Sequence, residues 1–316
     1  MLVVAACAVF AAGPAFAKEV TLKLGHLSNE QTTWHKAAIK FGEEVKSLSD
    51  GRVVVKVYPN SSLGKEMDLI SGMQLGTVDM TITGESLQNW APKAALLAVP
   101  YAYKTMVHMD SIASGEIGDM IEAQIIEKAK VRPIAYFARG PRNLTSNRPI
   151  KSPSDLNGLK LRVPNVPLFV DVWDSLGAKP TPMAFSEVFT SLQSNVIDAQ
   201  ENPLALIKSA SFFEVQKFVN KTEHVRSWIY LTLSEKTWSK LSEADKAAVT
   251  EAGKRAQAYE RTLFLDESDK LVAELEAQGM TFVEVDGQAF ASQAKDAVLK
   301  NVNVEISSIV KDLFNN

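Results

Sequence analysis

The chain of 316 residues carries 34 lysines and arginines against 37 acidic residues, a formal charge of −3, and is 46% apolar. Such a composition belongs to a folded protein with length for two domains of ordinary size, and it excludes an intrinsically disordered chain. The mildly acidic balance and the lack of Lys/Arg clusters exclude nucleic acid and an anionic membrane surface as expected partners, so an anionic ligand has to be drawn by local arginines.

The first seventeen residues, "MLVVAACAVFAAGPAFA", form an uncharged apolar stretch that ends in the small-x-small triplet Ala15-Phe16-Ala17. The pattern predicts a signal peptide over 1–17, cut before Lys18, and hence export to the periplasm. The stretch lacks the basic residues that usually precede a signal core. It is too short and too broken to span a bilayer, and nothing later approaches the roughly 20 apolar residues of a membrane helix. Cys7 is the only cysteine; its surroundings loosely resemble a lipoprotein box, but the six residues before it leave almost no room for a signal core, and a better cleavage site lies downstream. After cleavage no thiol remains for a disulfide, a nucleophile or a thiolate metal site, so the core alone must hold the protein together.

Further along, strand and helix patterns alternate. "EVTLKLGHL" has apolar residues at period 2 (Val20, Leu22, Leu24) and reads as a strand. A helix follows, capped by Thr32 or Thr33, with Trp34, Ala38, Phe41, Val45 and Leu48 at helical spacing and Gly51 as its stop. "RVVVKVYP" is a second strand, and "LGKEMDLISGMQLGTVDMTIT" supplies a helix and a third strand. That order predicts a parallel sheet with crossovers, whose ligands collect beyond the carboxyl ends of its strands, near "GHLSNEQ" and "TGESLQNW". A second α/β unit begins after the strand "VRPIAYF". It contains the strand "LKLRVP", the helices "VPLFVDVWDSLGA" and "SEVFTSLQSN", and the strand-to-loop segment "VIDAQENPLALI". The chain then returns through the strand-like "HVRSWIYLTLS" to a long helix-forming region over 243–278, too long for one small lobe and read as bridging both. No Gly/Ser-rich linker separates the units, so strands and a helix act as the hinges.

Arg142, in "RGPRNLTSNRPI", and Arg162, in "DLNGLKLRVPN", each follow a strand-like run and open onto a Pro/Asn loop. A guanidinium is the planar fork that matches a carboxylate with two parallel hydrogen bonds, so the pair predicts a receptor for a small acid. The plainer reading of any one arginine is a solvated surface charge.

The words "SSLGKE", "LTSNRPI", "LNGLKLRVPN", "GAKPTPMAFSEVFTSLQSNVIDAQENPL" and "FFEVQKFV" occur together and in order. With them the chain closely resembles the DctP-type extracytoplasmic solute receptors of TRAP transporters, over nearly its whole mature length and most strongly from Arg139 to Thr222. The resemblance implies a two-lobed periplasmic-binding-protein fold of α/β class (type II-like), with strand hinges and a long helix spanning both lobes. The lobes close over a ligand, which is delivered to a membrane permease driven by an ion gradient. The expected division is 18–139 plus 228–267 for lobe I, 140–227 plus 268–296 for lobe II, and a helical tail at 297–316; a monomer without cofactor or metal is expected.

Carried over by position, the resemblance makes Arg162 the main carboxylate-binding arginine and Arg142 its support. It also implies that Asn202 contacts the ligand, that Phe185 packs on its ring, and that Glu66 and Glu85 accept from hydroxyls. Asn165, at the mouth of the Arg162 strand, joins the candidates. A mixture of cations and acceptors suits a polyhydroxy acid better than a plain dicarboxylate. Leu27 stands where sialate receptors carry an asparagine, and the first helix carries Trp34 and His35. These departures favour a smaller sugar acid, a hexuronate or an aldonate, with His35 or Trp34 filling the space. Sialic acid and a C4-dicarboxylate stay open as ligands, and a sensor that feeds a chemoreceptor or kinase stays open as a role. Two carboxylates with histidines in a cleft could do acid/base work, but little supports an enzyme: His26, His35, His108 and His224 lack metal-ligand spacing, and no G-x-S-x-G or G-x-G-x-x-G word occurs.

Overall fold

The computed structural model describes residues 19–315. The expected signal peptide and Cys7 lie outside the described residues. In chain order the strands are β1 Val20–Gly25, β2 Val53–Tyr58, β3 Met80–Thr83, β4 Val131–Ala138, β5 Arg142–Ser146, β6 Lys160–Val163, β7 Lys179–Pro182, β8 Ala199–Pro203, β9 Phe218–Val225, β10 Trp228–Ser234 and β11 Thr281–Val283. They build two sheets, ordered β2-β1-β3-β10-β4 and β11-β9-β5-β8-β6-β7. Each sheet is the centre of one lobe of an α/β protein.

In the first lobe, alternation decides the strand faces: Leu22 and Leu24 of β1 are buried while Thr21 and Lys23 are exposed. β1 pairs in parallel with β2 from Val20 against Val53 to Gly25 against Tyr58, and in parallel with β3. The crossover helix Thr33–Leu48 starts at Thr32, whose hydroxyl accepts from the His35 N–H, and buries Trp34, Ala37, Ala38, Phe41 and Val45 along one stripe. The carboxyl ends of β1 and β3 therefore lie side by side, with Glu85 just past β3 and Glu66 opening the helix Glu66–Leu75.

The region expected as one strand from His224 onward is two. β9 belongs to the second sheet, where it pairs with β5, and β10 to the first, where it pairs antiparallel with β3 and β4. Residues 226–227 are thus a crossing between lobes, as are residues 139–141 between β4 and β5. The long helical region is also divided: the helix Glu243–Ser268 packs on the first helix and on β4, and a separate helix Leu271–Ala277 packs on the second lobe's helix Leu204–Ser209. The third crossing is the bend at Asp269 and Lys270. The C-terminal part reaches both lobes. Helix Gly287–Asn301 packs on Pro167–Ser175 of the second lobe, while the side chain of Glu305 accepts from Gln124 Nε2 of the first at 2.6 Å.

The lobes meet in a closed arrangement. Across the gap Lys65 pairs with Glu187 at 2.8 Å, Asn89 Nδ2 donates to the Asn165 carbonyl at 2.8 Å, and Asn29 Nδ2 donates to the Ser209 carbonyl at 2.8 Å.

Candidate functional site

Three strands of the second sheet aim charged side chains at the gap. β6 runs parallel to β8, with Arg162 opposite Gln200, and β8 runs antiparallel to β5, with Asn143 opposite Asn202 and Leu144 opposite Glu201. The carboxyl ends of β6 and β8 and the start of β5 therefore coincide, which brings Arg142, Arg162, Glu201 and Asn202 to one edge, the ligand edge of an open α/β sheet. Facing them from the first lobe are Glu66, Glu85, Trp34, and Arg139 at the first crossing.

The arginines are not equivalent. Arg142 forks onto Glu201 through Nε and Nη2, the latter 2.7 Å from Oε1, and its Nη1 lies 3.5 Å from Glu85 Oε1 across the gap. Arg139 donates to Glu85 Oε1 and to Ser227 Oγ, each at 2.6 Å. Arg162 instead gives Nε and Nη2 to one backbone oxygen, that of Met183, at 3.0 and 2.7 Å. It is only 3% exposed, and it is the cation of this cluster that touches no carboxylate among the described residues. Burial pushes its guanidinium down to about 10, with the charge of Glu201 opposing the shift and that of Arg142 adding to it.

The carboxylates differ as well. Burial opposes the charge of Glu201, but Arg142 and His224 outweigh it and hold its carboxyl at about 2; His224 Nε2 lies 2.8 Å from Oε2. Burial likewise opposes the charge of Glu85, yet Arg139 and Arg142 leave it below the ordinary carboxylate range. Glu66 has only the Thr83 hydroxyl at 2.6 Å and a bond from Ser86, and burial pushes its carboxyl up. Glu66 is the acceptor with unspent capacity, whereas Glu85 is occupied by two guanidinium groups.

Of the residues expected at the site, Arg162, Arg142, Asn202, Phe185, Glu66, Glu85 and Trp34 line one cavity, together with Leu27, Ser86, Arg139, Pro164, Leu206 and Ile229. Two do not. Asn165 offers its carbonyl to Asn89 and so serves lobe closure. His35 turns away to meet His26, Nδ1 to Nε2 at 3.0 Å, in a network with Ser28 and Thr32 that braces the loop carrying Leu27. Arg142, expected as the supporting arginine, is tied to Glu201. Three members were missed: Arg139, Glu201 and His224. Arg139 sits in the same word as Arg142, at the same strand end, and could have been found by that signal.

The void between these side chains is about 30 Å³, roughly one water, so an occupant of any size enters only when the lobes part. A larger, mainly apolar cavity of about 470 Å³ lies behind Trp34 and Leu206. The one cation on its wall, Arg139, is already held by Glu85, so of the two cavities the smaller, charged one is the candidate for an acid. Among the described residues no group of three His, Cys, Asp or Glu is arranged to hold a metal, and no helix is long and apolar enough to cross a membrane.

The sequence and the fold both have known relatives. A solute-binding protein of Roseobacter denitrificans is 71% identical over 307 residues, 97% of this chain and 94% of its own. The crystal structure of a TRAP periplasmic solute-binding protein from that organism, with bound L-galactonate, superposes with a TM-score of 0.93 at 71% identity over 94% of this chain and 99% of that one. A Bradyrhizobium TRAP periplasmic solute-binding protein in complex with D-galacturonate superposes at 0.89 with 33% identity, over 94% and 100% of the two chains. The 2,3-diketo-L-gulonate-binding periplasmic protein of Escherichia coli is 32% identical over 289 residues, 89% of this chain and 88% of its own. Residues 24–303 match the family described as bacterial extracellular solute-binding protein, family 7, and the chain therefore belongs to this DctP family of TRAP solute-binding proteins.

Proposed function

We propose that this protein is a non-enzymatic periplasmic receptor for a six-carbon sugar acid, an aldonate such as L-galactonate or a hexuronate, and that it hands this acid to an ion-gradient-driven TRAP permease. The observation that carries the reading is Arg162, a buried guanidinium without a carboxylate partner among the described residues. A ligand carboxylate supplies the missing anion and takes the Nη1 edge that the Met183 carbonyl leaves open. A second ligand carboxylate would find Arg139 and Arg142 spent on Glu85 and Glu201, which argues against a C4-dicarboxylate. Glu66 and Asn202 suit hydroxyls instead, and Trp34, Phe185 and Leu27 supply apolar contact to a carbon chain or ring. Half-buried Leu27 offers no partner to the extra polar groups of sialic acid. The relatives' ligands, L-galactonate and galacturonate, fall in the same chemical class.

The test is thermal unfolding of the mature protein, freed of co-purified ligand, against L-galactonate, hexuronates, sialic acid, succinate and neutral galactose. Ligand at about a thousand times its Kd adds roughly 4 kcal/mol, enough to raise Tm by several degrees. A shift with a sugar acid, absent with galactose and lost in Arg162→Ala, is the expected result. No shift with any acid, in a folded protein, overturns the reading. Uptake of the acid by a strain lacking the receptor separates transport from sensing.

A further inference from the structure

Glu260 lies in the middle of the long helix Glu243–Ser268, on the face packed against β4 and the first helix, and it is 0% exposed. No lysine or arginine forms an ion pair with it among the described residues. Its two oxygens serve two neutral donors: Oε2 accepts from the backbone N–H of Ala138 at 2.9 Å and Oε1 from the Thr33 hydroxyl at 3.1 Å. Burial pushes its carboxyl up to about 7. A buried carboxylate set between neutral groups is a costly arrangement, and an apolar residue on this face would avoid the cost.

Its partner explains the position. Ala138 is the last residue of β4, and the crossing segment 139–141 begins directly after it. The Ala138 carbonyl accepts from Trp34 Nε1 at 3.2 Å, so the residue that opens the hinge is gripped on its N–H by the long helix and on its C=O by the first helix. Trp34 and Arg139, on either side of that grip, both form walls of the acid pocket. The long helix also ends at the third crossing, so it touches the hinge at two places.

We propose that Glu260 is a positioning residue for acid binding: by fixing Ala138 it sets Trp34 and Arg139 at the pocket and ties the long helix to lobe closure. The proposal deepens the acid-receptor reading and rests on it. Glu260→Leu leaves the Ala138 N–H without its acceptor, and it is expected to weaken binding of the sugar acid by at least about tenfold. Glu260→Gln can still accept from Ala138 and turn its NH₂ toward the Thr33 oxygen, and it should bind within about threefold of the unchanged protein. From residue 18 onward the chain has no cysteine, so spin labels at Lys56→Cys on β2 and Lys179→Cys on β7 report the distance between lobes without interference. In acid-free protein the Glu260→Leu change should shift or broaden that distance, and Glu260→Gln should not.

Affinity within twofold for Glu260→Leu, or an unchanged distance distribution beside a lowered Tm, overturns the proposal and leaves Glu260 a purely structural residue. If Glu260→Leu does not fold, Glu260→Met, unbranched and nearer to Glu in shape, also removes the acceptor of the Ala138 N–H, and the same shift in distance is expected of it; an unaltered distance there overturns the proposal. The distance in acid-free protein needs no ligand. Failure of every acid to bind the unchanged protein would therefore sink the receptor reading while the hinge role was still decided.

Discussion

Arg162 and Arg142 stand twenty positions apart on neighbouring walls of one pocket, and the difference between their partners fixes opposite consequences for removing them. Arg142 is the counter-charge of Glu201, a fully buried carboxylate. Arg142→Met leaves that carboxylate uncompensated and should destabilise the acid-free protein by about 3–5 kcal/mol. Arg162 is itself the uncompensated ion, so Arg162→Met removes a cost. It should leave the acid-free protein as stable as before or more so, by up to about 1 kcal/mol after the loss of the Met183 bond is counted. The same change should abolish acid binding. Arg162→Lys should recover only part of the affinity, because a single ammonium cannot serve the Met183 carbonyl and a carboxylate with the geometry of the fork. Urea unfolding of both methionine variants without ligand checks the pair. Equal losses of stability would show that Arg162 is an ordinary structural arginine.

At the scale of elements, the long helix depends on a close approach that only glycine permits. A Cβ on Gly253 would lie 2.7 Å from Ile134 Cγ2 and 2.8 Å from the Ile134 carbonyl oxygen, and the second of these is backbone that cannot swing aside. Helix propensity alone would favour Gly253→Ala by about 1 kcal/mol. Overpacking of about 1–3 kcal/mol wins, and the urea midpoint of this variant should fall with its m-value unchanged. A rise in the midpoint would mean that helix and β4 separate without cost. The elements themselves were legible from the sequence where local pattern decides them: the alternation of β1, the stripe from Trp34 to Val45, and the two arginines at strand ends. What stayed hidden depends on partners distant in sequence. His224 and Trp228 lie in one β-rich run, and only their pairing, with β5 on one side and with β3 and β4 on the other, splits it into two strands. The bend at Asp269 and Lys270 has neither proline nor glycine to announce it; it forms where the helix leaves the first lobe for the second. Glu201 was invisible as the partner of Arg142 because 59 residues separate them.

For the whole molecule, buried ionisable groups set two opposing responses to pH. Burial and the neighbouring His35 lower His26 to about 3, against about 6.5 when unfolded. The unfolded chain therefore binds the proton first, and the stability tied to a neutral His26 is present above about 6.5 and is lost as pH falls toward 3. His224, lowered by burial, acts in the same direction. Glu260 and Glu122 act in the other. Burial raises each to about 7 from an ordinary value near 4.5, so the folded protein binds their protons first. Their contribution is complete below about 4.5 and is lost as pH rises through 7. Between about 4.5 and 6.5 the two sets oppose one another, and the stability of the unchanged acid-free protein should vary little with pH. Single substitutions unmask each side. The stability of His26→Gln, minus that of the unchanged protein, should grow as pH falls across this window, by about 1.4 kcal/mol per pH unit for one proton. The same difference for Glu260→Gln should shrink as pH falls. Urea unfolding at half-unit steps of pH measures both slopes, and slopes of the same sign in the two variants would sink the account. Opposed slopes would mean that the fold holds one buried imidazole, His26, and one buried hinge carboxyl, Glu260, in balance, so that its stability stays nearly independent of pH across the mildly acidic range.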